Sequence, residues 1–223
     1  MEWDWNFVVE ILPTLAQGAK ITILATLLGF AFAAIFGLAL ALLRRSPSKP
    51  IAWTTASFAE FIRGTPLLVQ LYFLFYILPD LGLTLSPLTA GVIGLGIHYG
   101  TYTAEVYRAG IENVARGQWE AAKACNLSSG QTWRHIILPQ AIAPMVPALA
   151  NYLIAMFKET PLLSAITVLE LMNQARSIAN YNYRYIEPIT LVGVFFLIIS
   201  LVSVVIIRLL QRHFGSVHGR RPA

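Results

Sequence analysis

Two pairs of opposite charges stand out among the side chains that could do chemistry. Glu60 and Arg63 are three residues apart, and Glu105 and Arg108 repeat that spacing. Residues three apart on a helix are neighbours, so each carboxylate can simply neutralise its own guanidinium. Alternatively, charged groups within apolar stretches face a cavity or a partner. The spacing leaves both interpretations open.

A third pair of charges, Lys158 and Glu159, directly follows a long apolar stretch, and Asn151 precedes it by about two helical turns. A small zwitterionic solute needs one group of each sign, or equivalent helix ends, to hold it. Asn151, Lys158 and Glu159 are therefore the candidates for lining a solute path. The alternative is that Lys158 and Glu159 only mark the end of the apolar stretch.

Catalytic chemistry is not indicated. No set of His, Cys, Asp and Glu residues has metal-ligand spacing, and no nucleophile–base pair is apparent, so we predict no metal, no cofactor and no catalytic residue. His98 is interpreted as a hydrogen-bonded interior residue. The single Cys125 excludes an internal disulfide and is interpreted as an unreactive thiol.

The composition shows what surrounds these residues. Of the 223 residues, 57% are hydrophobic and only 12% are charged. A soluble domain of this length would need more polar residues to cover its surface. The stretch 21–43 contains no charge, and at about 1.5 Å per residue it can cross a hydrocarbon core of about 30 Å. The chain is therefore predicted to be an all-α, polytopic membrane protein.

Four further apolar stretches bring the prediction to about five transmembrane helices: 51–78, 88–104, 140–157 and 189–207. Basic residues set the orientation of such a chain. Eleven of the sixteen Lys and Arg residues lie in three regions that alternate along the chain, which places the N-terminus outside and the C-terminus inside. These are Arg44, Arg45 and Lys49; Arg108, Arg116, Lys123 and Arg134; and Arg208, Arg212, Arg220 and Arg221. The net charge of +5 thus reflects orientation and does not indicate nucleic-acid binding.

The segment 158–187 separates the last two apolar stretches. Helical spacing puts Leu162, Ile166, Leu169 and Met172 on one face, which predicts a short helix packed at or within the outer half of the membrane. Residues 180–185 are predicted to form an outer loop before the last span.

The segment 120–141 is polar and helix-forming, and it lies between apolar stretches. Residues 117–125 predict a first short helix, with Asn126 as a left-handed cap because Asn tolerates positive φ. Ser128 and Gln131 have the spacing of a capping box, which predicts a second helix. Pro139 interrupts that helix or starts the next span. The result is an exposed helix-turn-helix knuckle that can fit a groove on another protein.

The knuckle resembles the EAA loop of bacterial ABC-importer permeases. Glu120, Ala121 and Ala122 match the start of that pattern, and 136–139, which ends in Leu138-Pro139, matches its end. Asn126 stands where the pattern has Gly, a mild departure because both residues adopt the left-handed conformation. Segments 60–70, 102–110 and 158–166 resemble the polar-amino-acid uptake branch, and among its subgroups the ectoine/hydroxyectoine permeases.

The resemblance implies a type I ABC importer-like fold, with 1–223 forming one transmembrane permease domain and a cytoplasmic coupling loop at about 108–139. ABC ATPase subunits would dock on the residues Glu120, Ala121, Ala122, Asn126, Leu138 and Pro139. A second permease, identical or related, would form a dimer with this chain, and an extracytoplasmic solute-binding protein would deliver the solute. The chain would lie in the bacterial inner membrane and move a polar amino acid or similar zwitterion.

The energy source must come from elsewhere, because the sequence has no Gly-x-x-x-x-Gly-Lys-[Ser/Thr] motif. The chain is thus predicted not to be an enzyme itself. Two alternatives stay open: a subunit of a channel or secondary transporter, which would not need ATP, and a membrane anchor or sensor without solute flux. Five spans cannot form two equal halves, which counts against a self-contained secondary transporter.

Overall fold

The described part of the chain is entirely helical apart from its turns. A computed structural model describes the backbone of residues 3–218 and the side chains of these residues except 206 and 208–218. It contains nine α-helices and no strand within those residues, which confirms the all-α prediction. The helices are α1 (Trp5–Arg44), α2 (Lys49–Gly64), α3 (Leu67–Tyr72), α4 (Pro87–Glu112), α5 (Arg116–Ala124), α6 (Ser129–Gln131), α7 (Leu138–Glu159), α8 (Leu171–Asn182) and α9 (Ile186–His218).

Three helical stretches in the described residues are long and apolar enough to cross a membrane. They are α1, the continuous helix Ser129–Ile166 that contains α7, and Ile186–Val205 of α9. The α2–α3 pair would make a fourth. Helix α4 is about 39 Å long at 1.5 Å per residue, so its length permits a fifth crossing. Its many Gly, Thr and Tyr residues lower its hydropathy, and the number of crossings stays a prediction.

Helices α1 and α4 pack together at the centre of the bundle. Their backbones approach closely where Ala33 and Gly37 of α1 meet Gly100 and Thr103 of α4, and we call this contact the α1–α4 seam. A Cβ atom on Gly37 would fall on Thr103 Oγ1 and lie 2.6 Å from the Gly100 carbonyl oxygen. The Thr103 hydroxyl donates a hydrogen bond of 2.9 Å to the Ala33 carbonyl across the seam. Glycine is required here because any side chain would push the two helices apart.

The predicted second span is not a single helix. Helices α2 and α3 are bent by 102° at the break between them. Pro66 lacks a backbone N–H, and its ring disfavours the helical conformation of the preceding residue, so Thr65 is extended (φ −109°, ψ 138°). The stretch 51–78, predicted as one transmembrane helix, therefore consists of two helices with a sharp bend between them. The second half continues past α3 as a π-helical turn, Phe73–Ile77, and a 3-10 turn, Leu78–Leu81.

The third span is longer than predicted. Ser86 caps the N-terminus of α4 by accepting a hydrogen bond from Thr89 N, and Pro87 occupies the first turn. The helix then continues to Glu112, past the predicted end at Ala104. Arg108 therefore lies on the last turns of α4, while the knuckle itself begins at α5.

The segment after α7 also differs from the prediction. A 3-10 helix, Thr160–Ile166, ends at Thr167, which has a left-handed backbone (φ 63°). The chain is irregular up to Glu170 and helical again from Leu171, so Leu169 is exposed and does not share a helical face with Ile166. Helix α8 extends through Asn182, which shortens the predicted outer loop.

Helix α8 is held against α1 by a buried hydrogen bond. The Leu171 backbone N–H donates 3.1 Å to Thr22 Oγ1, and Gly18 leaves room for the α8 backbone. Glu170 caps the helix by accepting hydrogen bonds from Met172 N and Asn173 N, and it is fully buried. Its pKa is raised to about 7 because burial disfavours the ionised form.

The predicted orientation rests partly on basic residues beyond α9. Arg220 and Arg221 lie outside the described residues, and the side chains of Arg208 and Arg212 are likewise not described. The orientation with the N-terminus outside and the C-terminus inside therefore stays a prediction.

Candidate functional site

The knuckle has the capped joint that the sequence predicts. Asn126 adopts a left-handed backbone (φ 59°), and its N–H donates 3.0 Å to the Lys123 carbonyl, while Leu127 N donates 3.1 Å to the Ala122 carbonyl. These two bonds define a Schellman motif. Ser128 and Gln131 form the capping box, each accepting from the backbone N–H of the other. The joint between α5 and α6 is therefore fixed by local hydrogen bonds.

The outer surface of the knuckle is open. Glu120 and Ala121 are exposed, while Ala122 is buried beneath them. Glu120 lies 3.4 Å from Arg116, but the two side chains are 70% and 93% exposed, so this ion pair contributes little stability. Leu138 and Pro139 are also exposed, at the start of α7. The predicted docking residues except Ala122 are thus available to another molecule.

Two tryptophans at the base of the knuckle were not anticipated from the sequence. Trp119 and Trp133 meet edge-to-face with ring centroids 5.3 Å apart, and they pack against the buried cluster around Ile137. The Arg45 guanidinium lies 5.8 Å from the Trp133 ring centre, within cation–π range. This contact joins the knuckle to the end of α1. The available signal was two large aromatics in an otherwise polar segment.

The two predicted charge pairs belong to one network. Arg63 lies 2.5 Å from Glu60 and Arg108 lies 2.9 Å from Glu105, so both i,i+3 pairs form. Glu105 also accepts from Arg63 at 3.1 Å and is paired with Arg44. One carboxylate thus receives guanidinium groups from α1, α2 and α4. The network ties three helices together, which favours the structural interpretation of these charges.

The solute-path candidates separate onto two faces of α7. Asn151 and Lys158 are seven residues apart and both exposed, so they share one face. Glu159 is partly buried and interacts electrostatically with His98 and Tyr99 of α4. The structure therefore does not bring Lys158 and Glu159 together as one binding pair.

Glu159 lies at an aromatic cluster that sequence reasoning missed. The cluster consists of His98, Tyr99, Tyr102 and Tyr152, with ring centroids 5.3 to 6.2 Å apart. As the sequence indicates, His98 is hydrogen-bonded, through its Nδ1 to Gln70 Oε1 at 3.3 Å. The i, i+3 spacing of Tyr99 and Tyr102 was the available signal, but Tyr152 comes from α7, far along the chain.

The chemistry of this cluster suits a positively charged amine. Aromatic ring faces attract a cation, and a carboxylate pairs with it directly. Glu159 Oε2 is buried and has no hydrogen-bond partner among the described residues. A buried carboxylate oxygen without a partner is costly, so a donor on a solute would find it available.

Comparison with known proteins places the chain in a family. Residues 33–216 match the model of the binding-protein-dependent transport system inner membrane component. Because this match covers most of the chain, the protein belongs to that family of transport-system membrane components.

Individual relatives are similar over nearly their whole length. The chain is 42% identical to the probable amino-acid ABC transporter permease protein y4tG of Sinorhizobium fredii, over 94% of this chain and 93% of that protein. It is 38% identical to the L-cystine transport system permease protein TcyB of Bacillus subtilis, over 95% and 93%. A crystal structure of an amino acid ABC transporter with histidines superposes with a TM-score of 0.90 at 36% identity, covering 96% of this chain and all of that one.

Proposed function

We propose that this chain is the permease subunit of an ATP-driven importer for a polar amino acid or a similar small zwitterion. The relatives named for amino-acid transport support the solute class. Ectoine and hydroxyectoine, suggested by the sequence, remain the narrower prediction, and no relative reported above carries either name. Such a chain lies in the bacterial cytoplasmic membrane as a multi-pass protein and is not itself an enzyme.

The observation that carries the proposal is the capped, open knuckle. Its joint is fixed by the Schellman motif at Asn126 and the capping box at Ser128, while Glu120 stays exposed. A rigid, exposed element transmits the movement of a docked protein to the membrane helices better than a flexible loop does. We assign it the docking of the ATPase subunits, which supply the hydrolysis that this chain lacks.

The docking role is tested by Glu120→Lys. We expect this charge reversal to reduce solute-stimulated ATP hydrolysis by about tenfold in the complex recovered from native membranes. Asp80→Lys, which reverses an exposed charge in the predicted outer loop, is the matched control. Undiminished stimulated hydrolysis in Glu120→Lys removes the docking assignment.

The solute path is assigned to Asn151, Lys158 and Glu159, with the tyrosine cluster beside Glu159. Glu159 and the rings suit the amine of an amino acid, whereas Lys158, on a different face of α7, would line the path without sharing that binding position. The double variant Glu159→Gln with Lys158→Met tests this. We expect uptake to fall at least about tenfold because the carboxylate for the amine and a charge lining the path are both removed. Unchanged uptake would mean that these residues only mark the outer end of α7.

The solute itself is identified by uptake into proteoliposomes that hold the complete complex. A panel of glutamine, cystine, histidine and ectoine, each radiolabelled, covers neutral, disulfide-linked, basic and cyclic zwitterions. The proposal expects saturable uptake of at least one of them, with its solute-binding protein present. A channel or secondary transporter would instead move solute without ATP, and an anchor or sensor subunit would move none.

A further inference from the structure

We propose that Gln70 positions His98 for contact with the solute. Gln70 bridges the break between α2 and α3, and it holds the His98 imidazole in the tautomer whose Nε2 accepts a hydrogen bond from the amine of the solute. Gln70 is thus a positioning residue, and His98 contacts the solute beside Glu159. This role rests on the proposed function and adds to it a direct link between the bent second span and the solute site.

The break between α2 and α3 leaves backbone carbonyl groups that the Gln70 side chain satisfies. The last carbonyls of a helix have no partner within that helix, and lipid offers none. Gln70 Nε2 donates a hydrogen bond of 2.8 Å to the Ile62 carbonyl and one of 3.1 Å to the Thr65 carbonyl. Nε2 also lies 2.8 Å from Thr65 Oγ1. The side chain therefore reaches back from α3 to the end of α2.

These partners decide which end of the Gln70 amide faces His98. The Thr65 hydroxyl donates to the carbonyl of Phe61 or of Ile62, both at 3.1 Å. Its oxygen therefore accepts from Gln70. All three groups around this end of the amide are acceptors, so the NH2 group must lie there and not the oxygen. The other end, Oε1, faces His98 Nδ1 at 3.3 Å.

The orientation of the amide fixes the tautomer of His98. An amide oxygen only accepts, so the His98 Nδ1 atom must carry a proton to bond to it. A neutral imidazole has one N–H group, and its Nε2 is then an acceptor. Nε2 is accessible, and no described residue bonds to it. His98 thus has one nitrogen bonded to Gln70 and one that can receive a hydrogen bond.

This acceptor lies where the amine of the solute is expected. The His98 ring centre is 5.6 Å from that of Tyr99 and 5.3 Å from that of Tyr102, and Glu159 acts on His98 electrostatically. An ammonium group has three donors, of which Glu159 Oε2 and His98 Nε2 can accept two, while the tyrosine rings attract its charge. The opposite tautomer would present an N–H group to the amine. Gln70 excludes that tautomer and so favours binding of an amine.

A double-mutant cycle tests the link between Gln70 and His98. Gln70→Met keeps a long side chain and removes the amide, and His98→Phe keeps a ring and removes both nitrogens. Radiolabelled glutamine, cystine, histidine and ectoine are offered to the complete complex in proteoliposomes, and the KM is measured for those that the wild type accumulates. We expect each single variant to raise the KM by about tenfold.

The double variant gives the decisive comparison. Because Gln70 acts through His98, the double variant should raise the KM by no more than about twofold beyond His98→Phe alone. Independent roles would instead multiply to about one hundredfold. That result, or an unchanged KM in Gln70→Met, overturns the inference.

Two controls separate this role from a purely structural one. Thr65→Val removes one hydrogen bond at the break and leaves the bond between Gln70 and His98, so its KM should stay within about twofold of the wild type. Gln17→Met makes the same chemical change at an exposed position of α1, where the side chain bonds to no other described residue, and should change neither the KM nor the Tm. If Gln70→Met lowers the Tm as Thr65→Val does and raises the KM no further, Gln70 only caps α2 and the inference is wrong.

The tautomer can be read directly by nitrogen-15 NMR of the complex with isotope-labelled histidine, at about pH 8, where an ordinary imidazole is neutral. The difference from His98→Phe isolates the His98 signals among the four histidines of the chain. We expect Nε2 to be unprotonated in the wild type and to gain protonation in Gln70→Met, because the fixed acceptor for Nδ1–H is lost. A protonated Nε2 in the wild type, or identical signals in the two proteins, contradicts the inference.

The spectrum and the uptake assay distinguish this inference from the proposed function. ATP-dependent uptake in the wild type, with no change of tautomer in Gln70→Met, contradicts the inference and leaves the importer function intact. A change of tautomer in a complex without ATP-dependent uptake supports the positioning of His98 and contradicts the proposed function.

Discussion

Where α1 meets α4, the two backbones nearly touch, whereas α7 leaves one side uncovered along its length. The seam is built from glycines at Gly37 and Gly100 and from the Thr103–Ala33 hydrogen bond. Helix α7 instead contains Pro144 and Pro147, and only four of its 22 residues are buried. Helix α4, by contrast, buries twelve of 26.

The difference separates a region that is closely packed within the chain from a region that the proposed function assigns to the solute path. The seam places its small residues inward, so that the chain supports itself there without a partner. The uncovered side of α7 instead places Pro144, Asn151 and Lys158 outward, and two of these, Asn151 and Lys158, are proposed to line the solute path. We therefore expect substitutions in the seam to act on stability and substitutions on the uncovered side of α7 to act on transport.

The seam should be most sensitive at Gly37. Gly37→Leu would place side-chain atoms on Thr103 and the α4 backbone, and we expect the free energy of unfolding to fall by about 3 kcal/mol or more. Thermal unfolding in detergent, followed by tryptophan fluorescence, measures this. Gly193→Leu on α9 is the control, because a Cβ atom there meets no atom within 4 Å. Equal losses in both variants would mean that the seam is not closely packed.

The charge network around Glu105, at the end of the seam, should show the second-largest effect on stability. Glu105→Ala leaves Arg44, Arg63 and Arg108 without their shared carboxylate, and we expect a loss of about 2 kcal/mol in the same unfolding experiment. Glu112→Ala removes an outer, half-exposed pair with Arg108, so its loss should stay within about 0.5 kcal/mol. A reversed order of the two would show that the network does not hold the helices together.

A smaller, pH-dependent effect on stability is expected where α8 packs against α1, at Glu170. The pKa of Glu170 is about 7, above its usual 4.5, because the side chain is buried. The native state therefore prefers the protonated form, and its contribution to stability is present at low pH and lost as pH rises through about 7. Raising the pH from 5 to 8 should lower the Tm of the wild type and of Glu170→Gln by different amounts. We expect the fall in the wild type to be larger by about 3 °C.

The exposed carboxylate Glu10 on α1 provides the control for this measurement. Glu10→Gln should leave the wild-type pH dependence of the Tm unchanged. If Glu170→Gln also retains it in full, the buried carboxylate is not the group that titrates.

The smallest effect on stability is expected on the uncovered side of α7, at Asn151. Asn151→Leu removes an exposed amide that bonds to no other described residue, so the unfolding free energy of the detergent-solubilised chain should change by less than about 0.5 kcal/mol. Uptake by the complete complex should nevertheless fall, because the proposed function places this amide in the solute path. A loss of stability as large as that of Gly37→Leu would remove the distinction between the two regions.

The sequence predicted best the structural features that depend on hydrogen bonds between residues close together in the chain. The knuckle followed from Asn126 and from the Ser128–Gln131 spacing, because a cap depends on residues only a few positions apart. The bend at Thr65–Pro66 was signalled by the proline, but the length of the largely apolar stretch 51–78 predicted one transmembrane helix.

Features that depend on distant residues could not be read from the chain. The Leu171 N–H at the start of α8 bonds to Thr22, 149 residues away, so the packing of α8 against α1 depends on a contact that helical spacing does not indicate. Glu159 was identified from its charge, but its neighbours His98 and Tyr99 come from α4. Arg44 joined the charge network in the same way, because only the fold brings the end of α1 beside Glu105.

ATP-dependent uptake in proteoliposomes tests the account most directly. The tagged chain, the ATPase subunits that co-purify with it and its solute-binding protein are reconstituted, and uptake of the labelled solute is measured with ATP, without ATP and without the ATPase. The account predicts accumulation only when ATP and the ATPase are both present. Equal uptake in all three conditions would contradict it and would identify the chain as part of a channel or secondary transporter.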